Sequence, residues 1–305
     1  MKPERKTAVL TGGFGYVGQH VAQCLIDRGW DLVLLARAGF NKLHPHGVTL
    51  VRVVEYDGSL DSLDALDALD IEGRQVVFFH LAAYADVKNE VENCDRLLES
   101  NVRFGVHLLS YMCRHNVDKF ISAESYWQFD NCGTLGGNTL YASSKSAFSL
   151  LLEYYCRRSI TATSLVLYDV YGPNDKRNKC LNLVITNTLA KIPTDMTEGT
   201  QIHDFIHVHD VARAFEIAGQ ALLDGRDSSS FKRHTVRSLQ CLKLRDFIEI
   251  LGKVINITPL VRWGVKPYPN HQIMRPWLPS EVWQLPGWMP EIPFNKGVKD
   301  LLKHD

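Results

Sequence analysis

Ala8-Val9-Leu10-Thr11-Gly12-Gly13-Phe14-Gly15-Tyr16-Val17-Gly18 is the stretch that decides the fold: an apolar strand runs directly into glycines at fixed spacing. Gly12 can take a backbone angle that a side chain forbids, Gly15 lets the main chain approach a pyrophosphate, and Gly18 lets the next helix pack closely on the strand. The free N–H groups and the positive dipole end of that helix then favour a phosphate. Glycines at this spacing also suit a plain tight turn. Here an apolar strand precedes them and an amphipathic run over 17–26 follows, stopped at Arg28-Gly29, which is the context of a dinucleotide-binding unit.

Outward from the turn, short β-rich runs alternate with helical segments, the pattern of a parallel sheet covered by helices on both faces. Strands are predicted over 7–11, 31–35, 49–54, 76–81, 119–123 and 162–168, and long helices over 93–114 and 141–157, where apolar residues recur at helical spacing. After Tyr171-Gly172-Pro173 the character changes. The tail over 267–293 interleaves prolines with Trp277, Trp283 and Trp288, which predicts loops ordered by aromatic burial. The expected architecture is an α/β, Rossmann-type doubly wound parallel sheet spanning 1–171, with 206–250 returning to it. A smaller, mostly C-terminal substrate-binding unit is expected from 172–205 and 251–305.

The end of the second strand bears on which dinucleotide is held. Enzymes that use NAD place an acid there, on the ribose hydroxyls. This strand ends Leu34-Leu35-Ala36-Arg37, with no carboxylate. The Arg37 fork suits a 2′-phosphate, so NADP(H) is expected rather than NAD(H), the plain alternative being a solvated loop charge.

Composition excludes several classes. The 305 residues are 45% hydrophobic and 22% charged, and 34 basic residues balance 34 acidic ones. No field of one sign favours nucleic acid or an anionic membrane. No apolar stretch reaches the length of a membrane span, and the basic N-terminus lacks the apolar run of a signal peptide. The seven cysteines are scattered, odd in number and contain no Cys-x-x-Cys pair, which predicts reduced thiols in a cytoplasmic protein.

Chemistry is expected at Tyr141-Ala142-Ser143-Ser144-Lys145, where a phenol and an ammonium four residues apart share one helix face. A phenol loses its proton near pH ~10; a neighbouring ammonium favours the phenolate and brings acid–base work within reach of neutrality. Upstream, strand residues Phe120-Ile121-Ser122-Ala123 lead into Glu124-Ser125-Tyr126-Trp127, polar groups at the carboxyl end of a parallel strand, where ligands of open α/β sheets bind. Ser125 is preferred to Ser122 as a donor to a carbonyl oxygen, because Ser122 lies within the strand; a local cap is its plain alternative. Glu124 reads either as a second acid or base or as the partner of a nearby lysine.

Together these pieces resemble an extended short-chain dehydrogenase/reductase of the nucleotide-sugar epimerase, dehydratase and reductase family. The resemblance covers nearly the full length. It is carried by 11–18, by His80-Leu81-Ala82-Ala83, Asn101, Ser125, Tyr141 and Lys145, by Tyr171-Gly172-Pro173, and by Asp204-Phe205-Ile206-His207-Val208-His209-Asp210-Val211. It implies that Tyr141 exchanges the proton, that Lys145 also holds the nicotinamide ribose, and that Asp57 sits near the adenine. It further implies cofactor contacts from Gly12, Gly13, Phe14, Gly15, Tyr16, Val17, Gly18, Gly58, Leu81, Ala82, Ala83, Asn101 and Tyr168. Substrate contacts are implied from Tyr84, Glu124, Ser125, Tyr126, Trp127, Asn174, Arg177, Gln201, His203 and Arg275. A homodimer through a four-helix interface is also implied, its helices being those over 93–114 and 141–157.

Within that family, Arg37 tilts the reading towards net reduction by NADPH. The text around 120–128, 140–145 and 171–175 is most like the 4-ketoreductases of the CDP-abequose and CDP-paratose synthase type, which act on CDP-linked deoxysugars for bacterial-type surface polysaccharide. The alternative is an epimerase or dehydratase with a retained NAD. A non-catalytic NADP-binding protein is the third reading, disfavoured by the intact Ser125, Tyr141 and Lys145. Two departures stand out: His203 replaces the family's diphosphate-binding arginine, and Pro269 stands where another arginine is frequent. Lys266, Arg275 and Arg177 are candidates for the missing positive charge. His203, His207 and His209 have a spacing that suits a metal, but isolated strand histidines are more often hydrogen-bonded polar residues, so no metal is expected.

Overall fold

The computed structural model describes residues 6–37, 52–69, 75–87, 91–225, 229–280 and 283–303. Its strands are β1 (Lys6–Thr11), β2 (Asp31–Arg37), β3 (Arg52–Tyr56), β4 (Gln75–His80), β5 (Lys119–Ser125), β6 (Thr161–Leu167), β7 (Asp169–Tyr171), β8 (Thr194–Asp195), β9 (Ile202–His207), β10 (Phe231–Val236), β11 (Cys241–Lys243) and β12 (Val261–Arg262). The α-helices are α1 (Tyr16–Asp27), α2 (Cys94–Leu98), α3 (Phe104–Arg114), α4 (Leu140–Cys156), α5 (Cys180–Leu189), α6 (Val208–Leu223), α7 (Leu244–Ile255) and α8 (Phe294–Gly297).

Among the described residues, seven strands form one sheet in the order β10-β6-β5-β4-β1-β2-β3. Every pairing in it is parallel. The central strands are apolar because both faces are covered: Val9 and Phe78 pack under α3 and α4, while Leu10 and Phe79 pack with α1 and α6. The chain leaves β1 towards β2 and β3, then returns to β4 on the other side. That reversal opens a crevice at the carboxyl ends of β1 and β4, the position where open α/β sheets bind ligands.

A second core is built on the small sheet β11-β9-β7 and holds Phe205, Phe247, Phe294 and Leu301. The stretch 206–250 is divided between the two: α6 and β10 pack on the large sheet, whereas β11 and α7 lie with the small one. The tail is tied down by aromatics. Trp277 stacks on Phe129 at 4.8 Å between centroids, and buried Trp288 donates its indole N–H to the Asp210 carbonyl.

Two expectations shift. The continuous helix over 93–114 is interrupted by a π-helical turn, Glu99–Arg103, between α2 and α3. The strand expected over 49–54 is found as β3, and the part of that expectation before Arg52 lies outside the described residues.

Candidate active site

The glycine turn is locked against the loop that follows β4. Gly12 has φ +74°, and a Cβ there would lie 2.7 Å from the Ala82 amide nitrogen; a Cβ on Gly18 would lie 2.0 Å from the Gly12 carbonyl oxygen. The Gly15 N–H donates to the Gly12 carbonyl at 2.8 Å, and the Leu81 N–H to the Thr11 carbonyl at 3.3 Å. Thr11 also accepts from the Ala82 N–H and meets Nδ1 of buried His80. Burial, with the Lys145 charge, pushes His80 down to about 3, so its ring is neutral.

Beyond the turn, a cavity is lined by Phe14, Leu35, Ala36, Arg37, Leu81, Ala82, Ala83, Ser100 and Phe104. Among the described residues no carboxylate lines it. Arg37 thus stands where its position in the sequence implies. Ser100 and Phe104 had no signal there, because the π-helical turn is what brings them to the cavity.

Asp57 and Gly58 do not line this cavity. Asp57 is exposed and accepts from the Ser59 N–H and hydroxyl, hydrogen bonds that hold its carboxyl below the usual range. Asn101 is buried and knits the post-β4 loop to α4: its oxygen accepts from the Tyr84 N–H, and its amide donates to the Tyr84 carbonyl and the Ser144 hydroxyl. It supports the cofactor loop without lining either cavity.

The second cavity continues from the glycine turn to the small sheet, and Ser125, Tyr141 and Lys145 all line it. Ser125 ends β5 and caps the turn Tyr126–Gln128, its hydroxyl accepting from the Trp127 N–H while its own N–H donates to the Gln128 side chain. Ser122 is buried inside β5, and its hydroxyl has no hydrogen-bond partner and no place on the cavity wall. Tyr141 lies in the first turn of α4, which Thr139 caps by accepting from the Ala142 N–H. One turn on, Lys145 is buried, and its ammonium donates to the Ala123 carbonyl at 2.7 Å.

The electrostatics differ from the sequence expectation. The Tyr141 phenol is raised, by burial, with its hydrogen bond to Ser125 acting the other way. Lys145 is not among the groups acting on the phenol, and its ammonium donates to the Ala123 carbonyl. Lys145 itself is lowered to about 8 by burial, with the Glu124 charge opposing.

The half of the cavity towards the small sheet is built from side chains that hold one another. Buried Tyr126 stacks on Tyr168 and directs its hydroxyl at Asp169, which also takes His203 Nδ1 at 2.8 Å. His203 stacks on Phe205, and its buried Nε2 has no partner. Arg177 forks onto Asp175, donates to the Val170 carbonyl and lies over the Tyr16 ring at 4.2 Å. Lys179, which had not stood out in the sequence, also lines the cavity.

Several expected contacts face elsewhere. The Tyr168 ring lines the cavity, but its hydroxyl donates to the Trp277 carbonyl. Glu124 touches the wall, yet its carboxylate takes its hydrogen bonds from Arg233 and Ser149, while its charge also acts on Lys145. Tyr84 faces Asp86 and Arg96, and Gln201 accepts from Tyr268. Asn174, Gln201, Lys266 and Arg275 are not on the cavity wall, which leaves Arg177 alone of the candidates for the missing charge. The expected strand trio is split: His203 and His207 lie on β9, whereas His209 lies in the first turn of α6. His203 turns to Asp169 and His207 to Asp300, while the rings of His207 and His209 meet edge to face at 4.9 Å; the grouping with metal-ligand spacing among the described residues is Asp64, Asp67 and His115, far from them in sequence.

Comparison with known proteins agrees with this geometry. The model of the family described as "NAD dependent epimerase/dehydratase family" matches residues 8–231. The chain is 23% identical over 304 residues to a CDP-abequose synthase of Salmonella typhimurium, covering 98% of both chains. It is 24% identical over 239 residues to one of Yersinia pseudotuberculosis, covering 76% of this chain and 82% of the other. A putative UDP-glucose 4-epimerase of Methanocaldococcus jannaschii is 25% identical over 308 residues, covering 95% of each. In fold, the chain is similar to the UDP-glucose 4-epimerase of Thermus thermophilus in complex with NAD, with a TM-score of 0.81, 21% identity and 97% of each chain covered. The chain belongs to the NAD dependent epimerase/dehydratase family and is an NAD(P)-dependent enzyme of the extended short-chain dehydrogenase/reductase type.

Proposed function

We propose that this enzyme uses NADPH to reduce the 4-keto group of a nucleotide-linked deoxysugar, CDP-linked in the first instance. The observation that supports the choice of cofactor, and with it net reduction, is Arg37 on the wall of a cavity whose described lining residues include no carboxylate to meet ribose hydroxyls. The similarity to CDP-abequose synthases supports the sugar and the base. The site accepts such a cofactor on physical grounds: the close approach at Gly12 and Gly18 leaves main-chain N–H groups at the start of α1 and no side chain in the way.

When bound, the nicotinamide supplies the hydride. The chain supplies the rest. Tyr141, protonated at neutral pH because burial raises its phenol, gives its proton to the oxygen of the reduced carbonyl. Ser125 donates to the same oxygen and fixes its direction, so developing negative charge meets oriented donors. Lys145 binds the cofactor's ribose and restores charge balance beside the phenol. At the far end, Arg177 and Lys179 are the cationic groups offered to the nucleotide diphosphate.

A second reading, an epimerase or dehydratase with retained NAD, is favoured by the likeness to NAD-bound 4-epimerases. The two differ in stoichiometry. Purified enzyme is checked for bound reduced nicotinamide by absorbance, then offered 4-keto sugars linked to CDP, dTDP, GDP and UDP. The ketoreductase consumes one NADPH per sugar, whereas sugar conversion without net NADPH loss supports the second reading. We assign the dimer to exposed apolar residues on α2 and α4, namely Leu98, Leu150, Leu151 and Tyr154, which fit a four-helix interface. Among the described residues no helix is long and apolar enough to cross a membrane.

A further inference from the structure

We propose that Glu124 is the counter-charge of the active-site lysine: a buried carboxylate, gripped by Arg233 and by Ser149 of the same helix as Lys145, that keeps Lys145 in its ammonium form. The inference rests on the reading of Lys145 as an active-site residue and not on the identity of the sugar.

Lys145 is 4% exposed, and a buried ammonium needs an opposite charge as well as hydrogen bonds. Its hydrogen bond to the Ala123 carbonyl is neutral. The charge comes from the next residue along β5. Side chains alternate along a strand, so Glu124 projects to the face opposite Ala123 and Ser125, the face that α4 covers. There its Oε1 accepts from Ser149, one helical turn beyond Lys145 on the same side of α4. Arg233 reaches across from β10, donating from Nε to Oε2 at 2.7 Å and from Nη2 to Glu153 at 3.3 Å. Its guanidinium lies over the rings of Phe129 and Phe231.

The carboxylates of Glu124 and Glu153 against the single guanidinium of Arg233 leave one negative charge, and Lys145 supplies the matching positive one. The other titratable groups near the lysine add none: His80 is neutral, and the Tyr141 phenol is raised. The Glu124 charge raises the Lys145 pKa against the effect of burial. Glu124 is therefore a positioning residue, acting on the reacting groups through Lys145.

If the cluster merely pinned β10 to β5 and α4, removing any member would loosen the site in the same direction. Electrostatic control predicts opposite directions. Lys145 can be titrated in the ligand-free full chain by competitive acetylation across neutral to alkaline pH, read by peptide mass spectrometry, which needs neither cofactor nor sugar. Glu124→Gln is expected to lower the midpoint by about one pH unit or more, the size given by a unit charge within about 10 Å at an effective dielectric of about 20. Arg233→Met is expected to raise it by a comparable amount, and Glu153→Gln, at the more exposed end, to lower it by less. A midpoint unmoved in Glu124→Gln, or one moved the same way by Glu124→Gln and Arg233→Met, overturns the proposal. Should Glu124→Gln fail to fold, the opposite signs of Arg233→Met and Glu153→Gln decide. A failed sugar screen with opposite shifts intact removes the assigned reaction and leaves the counter-charge standing.

Discussion

The two ends of the cleft are built from different materials. At the β1–β4 crevice the turn is main chain locked on main chain, Gly12 against the Leu81–Ala82 segment and the start of α1, with side chains such as Arg37 and Phe104 completing the wall. At the small sheet the walls are side chains that hold one another, as Tyr126 and His203 do on Asp169, or Arg177 on Asp175. Main chain can bind one chemical feature, a phosphate, whatever the rest of the ligand. Interlocked side chains can be exchanged singly, so that end can change its ligand while the cofactor end keeps its own.

The comparison breaks first at its joint, where both ends meet the reacting groups. Tyr141→Phe is expected to cut turnover by about 10²–10⁴-fold while cofactor affinity, set at the other end, stays within a few-fold; stopped-flow turnover with fluorescence titration of NADPH measures both. Gly18→Ala attacks the main-chain end. Its Cβ would lie 2.0 Å from a carbonyl oxygen that cannot swing away, so a loss of about 1–3 kcal/mol of stability or more is expected in a denaturant titration, with cofactor binding lost alongside.

Arg37→Ala sharpens the contrast, because it changes the side chain to which the proposed NADPH preference is assigned. KM for NADPH should rise about tenfold or more, the worth of a charge-assisted hydrogen bond, with KM for NADH unchanged. The expected pH effect comes from His80, whose proton affinity is lowered from 6.5 to about 3 in the fold. The unfolded chain then binds the extra proton, so this contribution to stability is complete above about 6.5 and declines as pH falls towards about 3. Unfolding midpoints measured across that range should slope less in a folded His80→Asn variant.

The same division explains how much was legible in the sequence. The glycine turn, the strand ends and the Tyr141 helix are local patterns; β2 extends the expected 31–35 only to Arg37, and β5 extends 119–123 only to Ser125. The π-helical turn left no such pattern, since the apolar spacing across it is close to that of one helix, and with it went the placement of Ser100 and Asn101. Pairings between distant segments were invisible. Glu124 and Arg233 are separated by 109 residues and meet only because β10 joins the sheet beside β6. Asp169 and His203 meet only because β7 pairs with β9.

In the proposed reaction a hydride leaves NADPH and stays on the sugar. The direct measurement is transfer from NADPH deuterated at the nicotinamide C4 to a CDP-linked 4-keto-6-deoxysugar, with the product read by NMR and mass spectrometry. One deuterium at sugar C4 per NADPH oxidised, absent with Tyr141→Phe, is the predicted result. A converted sugar without deuterium, formed while the added NADPH stays reduced, contradicts it.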